Sequence, residues 1–378
     1  MKTKISLFYL TLFFGSGCLF PLFSVYLKEA VGLSGSEIGF ILSLGPAVAV
    51  VAQPIWGMLA DATQKPKLWL ASSILFTALL GMVYSVLHQF IWMLLVWFLL
   101  ILFESAATPL SDGITILYCA KNRLEYGFFR MWGALGYALA AFIMGKAAEQ
   151  WGMPLIFFGF AGFFIVACLL SLKLPEEAVK TKVKITEGMG KLFKQRPYMI
   201  FLIAVFFIFG PMDANNTYFG LLIDQAGGTI GNVGFGWLIA AGTEVPVMWI
   251  AGKAVKRFGA PKMIVLAAIL SMLRFFFYFF EPSILWIDLS AIVQGVVFGL
   301  FAVSSLQYVE ELAEDHYQHT AVALFSATTY GAGNWLFTLT GGFIMDALNI
   351  YDTYLFFALI SFAGLLFWLL SFMKKAAR

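Results

Sequence analysis

Charge is scarce in this chain. Charged residues make up 12% of its 378 residues, about half the density of an ordinary soluble domain. So few charges cannot cover a water-soluble body of this length, which excludes soluble enzymes, nucleic-acid binders and disordered scaffolds. Cysteine is also sparse. Cys18, Cys119 and Cys168 stand alone in apolar stretches, without metal-ligand spacing, and read as small packing residues. The three histidines, His88, His316 and His319, fall near the ends of apolar segments. The last two follow Glu310, Glu311, Glu314 and Asp315, a run that reads as a solvated acidic loop. No phosphate-cradling loop, Walker-type sequence or catalytic-triad spacing occurs. No catalytic residue, metal, cofactor or ATP-driven step is therefore expected.

Apolar residue is what fills the chain, at 61% hydrophobic and a mean hydropathy of +0.88. It comes in runs of roughly 20 residues, the length that crosses a hydrocarbon core of about 30 Å. Reading the runs between polar breaks predicts helices near 5–27, 36–60, 67–87, 89–118, 126–148 and 153–173, then near 198–223, 233–256, 261–281, 283–313, 319–346 and 353–373. The fold class is an all-α membrane protein with twelve transmembrane helices in two six-helix bundles. Met1-Lys2-Thr3-Lys4 followed by an apolar run resembles a signal peptide, and Ser16-Gly17-Cys18 a lipoprotein site. The run continues to Leu27, so an uncleaved first helix fits better.

The longest polar break predicts a linker at 175–197 between bundles at 1–174 and 198–378. Of 24 Lys and Arg, 20 lie at the termini, in this linker or in loops on the same side; Lys28 and Lys146 lie opposite, and Arg130 and Arg274 sit inside apolar runs. By the preference of basic loops for the cytoplasm, both termini are expected inside, in a multi-pass protein of the inner or plasma membrane. The halves also repeat: Gly39, Gly57, Pro66 and Lys67 recur 195 positions later as Gly234, Gly252, Pro261 and Lys262. A duplicated six-helix half is what transporters with a site at the repeat interface possess.

Several motifs carry a family resemblance. Gly57-Met-Leu-Ala-Asp61, with Lys65-Pro66-Lys67 after it, resembles the loop after helix 2 in the major facilitator superfamily. Pro109-Leu-Ser-Asp112, then Tyr126-Gly-Phe-Phe-Arg130-Met-Trp-Gly133, is similar to the branch holding lactose permease, phenylpropionate permease and nucleoside–proton symporters. Gln53-Pro54, Gly242 with Glu244, Gln294-Gly295 and Gln307-Tyr308 agree with that branch. The resemblance implies a loop gate at Gly57, Asp61, Lys65 and Lys67. It implies that Asp112 and Arg130 hold substrate and that Tyr137 takes the place of a sugar-stacking tryptophan. Glu244 matches an acid linking substrate and proton sites, and Arg274 and Asp213 match charged residues of the second half. Gln294 stands where lactose permease has a histidine and Val297 where it has the proton-carrying glutamate, so that relay is incomplete here.

Ionisable residues at membrane depth are expensive and usually functional. They are Glu104, Asp112, Arg130, Asp213, Glu244 and Arg274. Asp112 and Arg130 lie 18 residues apart on helices 4 and 5, where an antiparallel pair can bring them together. Four carboxylates against two guanidiniums leave two negative charges uncompensated if all ionise. Burial opposes that, so at least one acid is expected to carry a proton in some state. The expected function is proton-coupled symport of a small polar solute, a sugar or nucleoside first, by a monomer. Substrate contacts are expected from Asp112, Arg130, Tyr137, Asn215, Gln294, Tyr330 and Asn334, and proton coupling from Glu244, Asp213, Arg274 and Glu104. Efflux antiport and aromatic-acid uptake remain alternatives; a membrane enzyme or sensor lacks the residues.

Overall fold

The computed structural model describes residues 1–175, 192–313 and 318–376. Among them run twelve helical rods: α1 (Lys2–Glu29), α2 (Gly35–Thr63), α3 (Pro66–Tyr84), α4 (Phe90–Asn122), α5 (Tyr126–Trp151), α6 (Leu155–Ser171), α7 (Arg196–Gln225), α8 (Ile230–Phe258), α9 (Ala260–Phe279), α10 (Ile284–Leu312), α11 (Gln318–Ala347) and α12 (Ile350–Ala376). Ten are long and apolar enough to cross a membrane. Of the other two, α6 has 17 residues, and α11 changes winding part-way. It is an α-helix over Gln318–Ser326, a π-helix over Ala327–Gly333 and an α-helix again over Asn334–Ala347. Every predicted run is a helix, most of them longer than expected. Most of the predicted linker, including Lys180, Lys182, Lys184 and Lys191, lies outside the described residues, as do His316, Glu314 and Asp315.

The chain divides into two compact units. Unit 1 comprises Met1–Leu33, Leu44–Thr181 and Gly228–Leu238; unit 2 comprises Ser34–Ser43, Lys182–Gly227 and Ile239–Arg378. Within unit 1, α1 packs on α5 and α6, and α3 packs on α4 and α6. Within unit 2 the same scheme returns six helices later, with α7 on α11 and α12, and α9 on α10 and α12. The first turns of α2 and α8 are exchanged, each packing with the unit that does not hold the rest of its helix.

The 195-residue repeat is visible at those two exchanged starts. The Ser34 N–H donates to Glu37 Oε2 at 2.9 Å, and 195 positions on the Thr229 N–H donates to Asn232 Oδ1 at 3.0 Å. Each closes a capping turn that satisfies an otherwise orphaned N–H at a helix start. The repeated glycines Gly39 and Gly234 are close-approach points. A Cβ on Gly39 would meet the Thr338 carbonyl oxygen at 2.9 Å in unit 2, and one on Gly234 would strike the Ala141 carbonyl oxygen in unit 1. At the α2 start, Asp346 accepts from the Gly35 N–H at 2.5 Å and the Ser36 N–H at 2.8 Å, a carboxylate against a helix N-terminus.

Candidate functional site

Unit 1 gathers one set of membrane-depth residues. Asp112 lies ten residues before the end of α4, and Arg130 lies in the second turn of α5. Helix α1 supplies an aromatic partner to each. The Tyr9 hydroxyl donates to Asp112 Oδ1 at 2.6 Å, and the Tyr126 phenol faces the same pair. The Arg130 guanidinium carbon sits 4.1 Å from the centroid of the Phe13 ring, a cation–π contact. Tyr9 and Phe13 are one turn apart, their rings parallel within 3°. The expectation that Asp112 and Arg130 meet across the α4–α5 turn is thus corrected: no ion pair joins them among the described residues. Arg130 Nη1 is buried without a hydrogen-bond partner.

A second level lies further along the same helices. Glu104 precedes Asp112 by two turns of α4, and Tyr137 follows Arg130 by two turns of antiparallel α5. At 1.5 Å per residue the two levels are about 11 Å apart. Tyr137 lies in the electrostatic neighbourhood of Glu104, and its ring meets that of Trp237 edge to face at 6.0 Å. The α1–α5 packing fixes these heights. A Cβ on Gly136 would lie 2.5 Å from the Leu10 carbonyl oxygen, and one on Gly133 would lie 2.8 Å from the Phe13 ring. The two glycines let α1 and α5 approach at backbone distance.

Unit 2 holds the other set in two groups. Arg274, 5% exposed, donates from Nη2 to Gln294 Oε1 at 2.5 Å and from Nε to the Tyr278 hydroxyl at 2.8 Å. That hydroxyl also bonds Ser290 Oγ at 2.5 Å. The Tyr354 ring packs on Tyr278, and its hydroxyl donates to Asn215 Oδ1 at 2.9 Å. Two residues expected to touch substrate, Gln294 and Asn215, are therefore buried and engaged in bonds between helices. Asn334 likewise accepts from Thr338 Oγ1 at 2.9 Å within α11. The second group is acidic. Asp213 is 4% exposed, with Oδ2 lacking a hydrogen-bond partner, and Glu244 is half-buried. Tyr330, in the π-helical part of α11 and 42% exposed, lies in the field of both. Arg274 pairs with neither acid.

The expected gate residues lie at the α2–α3 connection. Asp61 and Lys65 are exposed, the Gln64 amide donates to the Asp61 carbonyl at 2.6 Å, and Gln64 turns the chain at φ +54°. Pro66 opens α3, as Pro261 opens α9. Nothing lies within 4 Å of a Cβ built on Gly57 or on its repeat partner Gly252, so close packing explains neither here. Lys67 is half-buried.

Sequence reasoning missed Tyr9, Phe13, Trp237 and Tyr278. Each is an aromatic residue in an apolar run of a chain with 41 Phe, 14 Tyr and 11 Trp, and nothing local distinguishes it from packing.

Comparison with known proteins decides the class. The pattern of the MFS_1 like family matches residues 2–356. The chain belongs to that family. It is a multi-pass major facilitator transporter. A maltose permease of Geobacillus stearothermophilus is 38% identical over 98% of this chain and 94% of its own length. A probable 3-phenylpropionic acid transporter of Escherichia coli is 23% identical over 91% of each. Among solved structures, that of the nucleoside transporter NupG superposes with a TM-score of 0.87 at 19% identity over 98% of both chains, a likeness of fold.

Proposed function

We propose that this transporter imports a neutral glycoside of two linked sugar rings, maltose being the first to test, by symport with protons and alternating access. The observation that carries the reading is the two-level arrangement on α4 and α5. One level offers a carboxylate and a guanidinium that do not neutralise each other, and the next offers an aromatic pair beside a second acid. Carboxylates and guanidinium forks bind sugar hydroxyls, and ring faces bind the apolar face of a pyranose. Two linked rings would bridge levels about 11 Å apart. The 38% identity to a maltose permease over nearly the whole chain supports the same substrate class.

Proton coupling is assigned to the acidic group of unit 2. Asp213 is buried, with Oδ2 lacking a hydrogen-bond partner and no ion pair among the described residues, and an uncompensated buried charge is costly. A proton removes that cost and can leave when the group meets water or a changed neighbour. Glu244, also facing Tyr330, completes a two-acid relay. Arg274, held by Gln294 and Tyr278, stands outside it as a fixed positive charge. Exposed Asp61, with Lys65 and Lys67, is proposed to stabilise one access state, with both termini in the cytoplasm and the monomer as working unit.

The test is uptake into proteoliposomes of labelled maltose, uridine and 3-phenylpropionate, each with and without an imposed proton gradient. The reading expects maltose to accumulate only with the gradient. Accumulation of uridine or 3-phenylpropionate in its place would transfer the assignment to that solute class, and outward pumping would support an efflux antiporter.

A further inference from the structure

We propose that Tyr9 is a positioning residue that holds Asp112 away from Arg130 and so makes the site select hydroxylated neutral solutes over anions. The inference rests on the reading of Asp112 and Arg130 as substrate ligands and assigns a role to a residue outside that pair. Tyr9 is fully buried on α1. Its hydroxyl donates to Asp112 Oδ1 at 2.6 Å, a close hydroxyl–carboxyl bond. Phe13, one turn on, faces the same way and takes the Arg130 guanidinium on its ring. A single face of α1 therefore occupies both members of the pair.

The consequence follows from what the two groups do without α1. A carboxylate and a guanidinium on neighbouring antiparallel helices close into a bidentate pair, which would consume the donors and acceptors a sugar needs. Tyr9 satisfies one carboxylate oxygen with a neutral donor, and the Tyr126 phenol lies against the same carboxylate, so Asp112 is engaged by hydroxyls and not by the guanidinium, as it would be by a polyol. Arg130, stacked on a ring that offers no acceptor, keeps Nη1 unsatisfied. A solute carboxylate could satisfy Arg130 but would meet the Asp112 charge. Neutral polyols are thereby preferred.

Tyr9→Phe keeps the ring and removes only the hydroxyl. With maltose as the transported probe, KM should rise about tenfold, the cost of a hydrogen bond to a charged group, while the maximal exchange rate stays within about twofold. In the Asp112→Asn background the same change should have no further effect, because Tyr9 acts through Asp112. An equal tenfold loss in both backgrounds, or none in either, would overturn the proposal. A structure of purified Tyr9→Phe needs no solute: Asp112 and Arg130 should close to within ion-pair distance, and continued separation would also overturn it. If wild-type protein ignores maltose yet the pair closes in Tyr9→Phe, the substrate reading fails and the positioning role stands.

Discussion

At the residue scale the proposed site depends on a few polar groups that are kept unsatisfied. Arg130 is the sharpest case, because its planar fork both stacks on Phe13 and presents a buried free edge. Arg130→Lys supplies the charge but neither the plane nor the fork. Maltose affinity, measured by calorimetry on detergent-purified protein, should fall at least about tenfold, the order of a lost charged hydrogen bond. Glu244→Gln should act differently, abolishing accumulation driven by a proton gradient while leaving maltose exchange intact. Normal accumulation by that variant would remove Glu244 from the relay and leave the proton to Asp213 alone or to Glu104. Asp112, Arg130 and Glu244 were legible in the sequence because a charge in an apolar run has no cheap structural reason to be there. Tyr9 and Trp237 were not, since their roles exist only through residues about 100 positions away on other helices. Gln294 and Asn215 look like cavity residues in sequence, and only their partners Arg274 and Tyr354 show that they link helices.

Helices in this chain are specified at two levels. Their lengths follow from apolar runs, which is why the predicted spans match. Their winding and spacing follow from small residues and prolines whose effect depends on a neighbour. Pro109, Pro211 and Pro246 lie within three residues of Asp112, Asp213 and Glu244. Each removes a backbone donor inside its helix and permits a bend beside an acid. The π-helical part of α11 has no such mark. It lies where Gly333 meets Gly210 of α7, with a Cβ on Gly333 only 3.0 Å from the Gly210 Cα, and π segments often accompany functional sites. Gly341 and Gly342 press on Tyr218 and on the α2 start. Gly136 gives the direct test at this scale. Gly136→Ala puts a methyl 2.5 Å from the Leu10 carbonyl oxygen, so α1 must move off α5. The expected cost is about 1–3 kcal/mol of stability, seen as a lowered melting temperature, with weakened maltose binding because Tyr9 and Phe13 move too. An unchanged Tm would show that the approach is not tight.

For the whole molecule, duplication is the governing fact. The 195-residue repeat, legible at four positions, reappears as the packing scheme of α1–α6 returning in α7–α12, and as the matching capping turns at Ser34 and Thr229. The exchange of the α2 and α8 starts between units was not legible, because a helix that changes partners along its length shows no break in its apolar run. The proposed roles divide unequally between the copies: the proposed sugar ligands Asp112, Arg130 and Tyr137 belong to unit 1, and the proposed proton-carrying acids Asp213 and Glu244 to unit 2. The skew of basic residues predicts that a reporter active only in the cytoplasm, fused after Arg378, will be active. An inactive fusion would reverse the orientation. The central claim is that sugar and proton move together, and the most direct measurement is the external pH when maltose is added to lightly buffered, de-energised cells expressing the protein. The account predicts a transient alkalinisation that a protonophore abolishes and that Glu244→Gln lacks. Entry of labelled maltose with no change in external pH would contradict it.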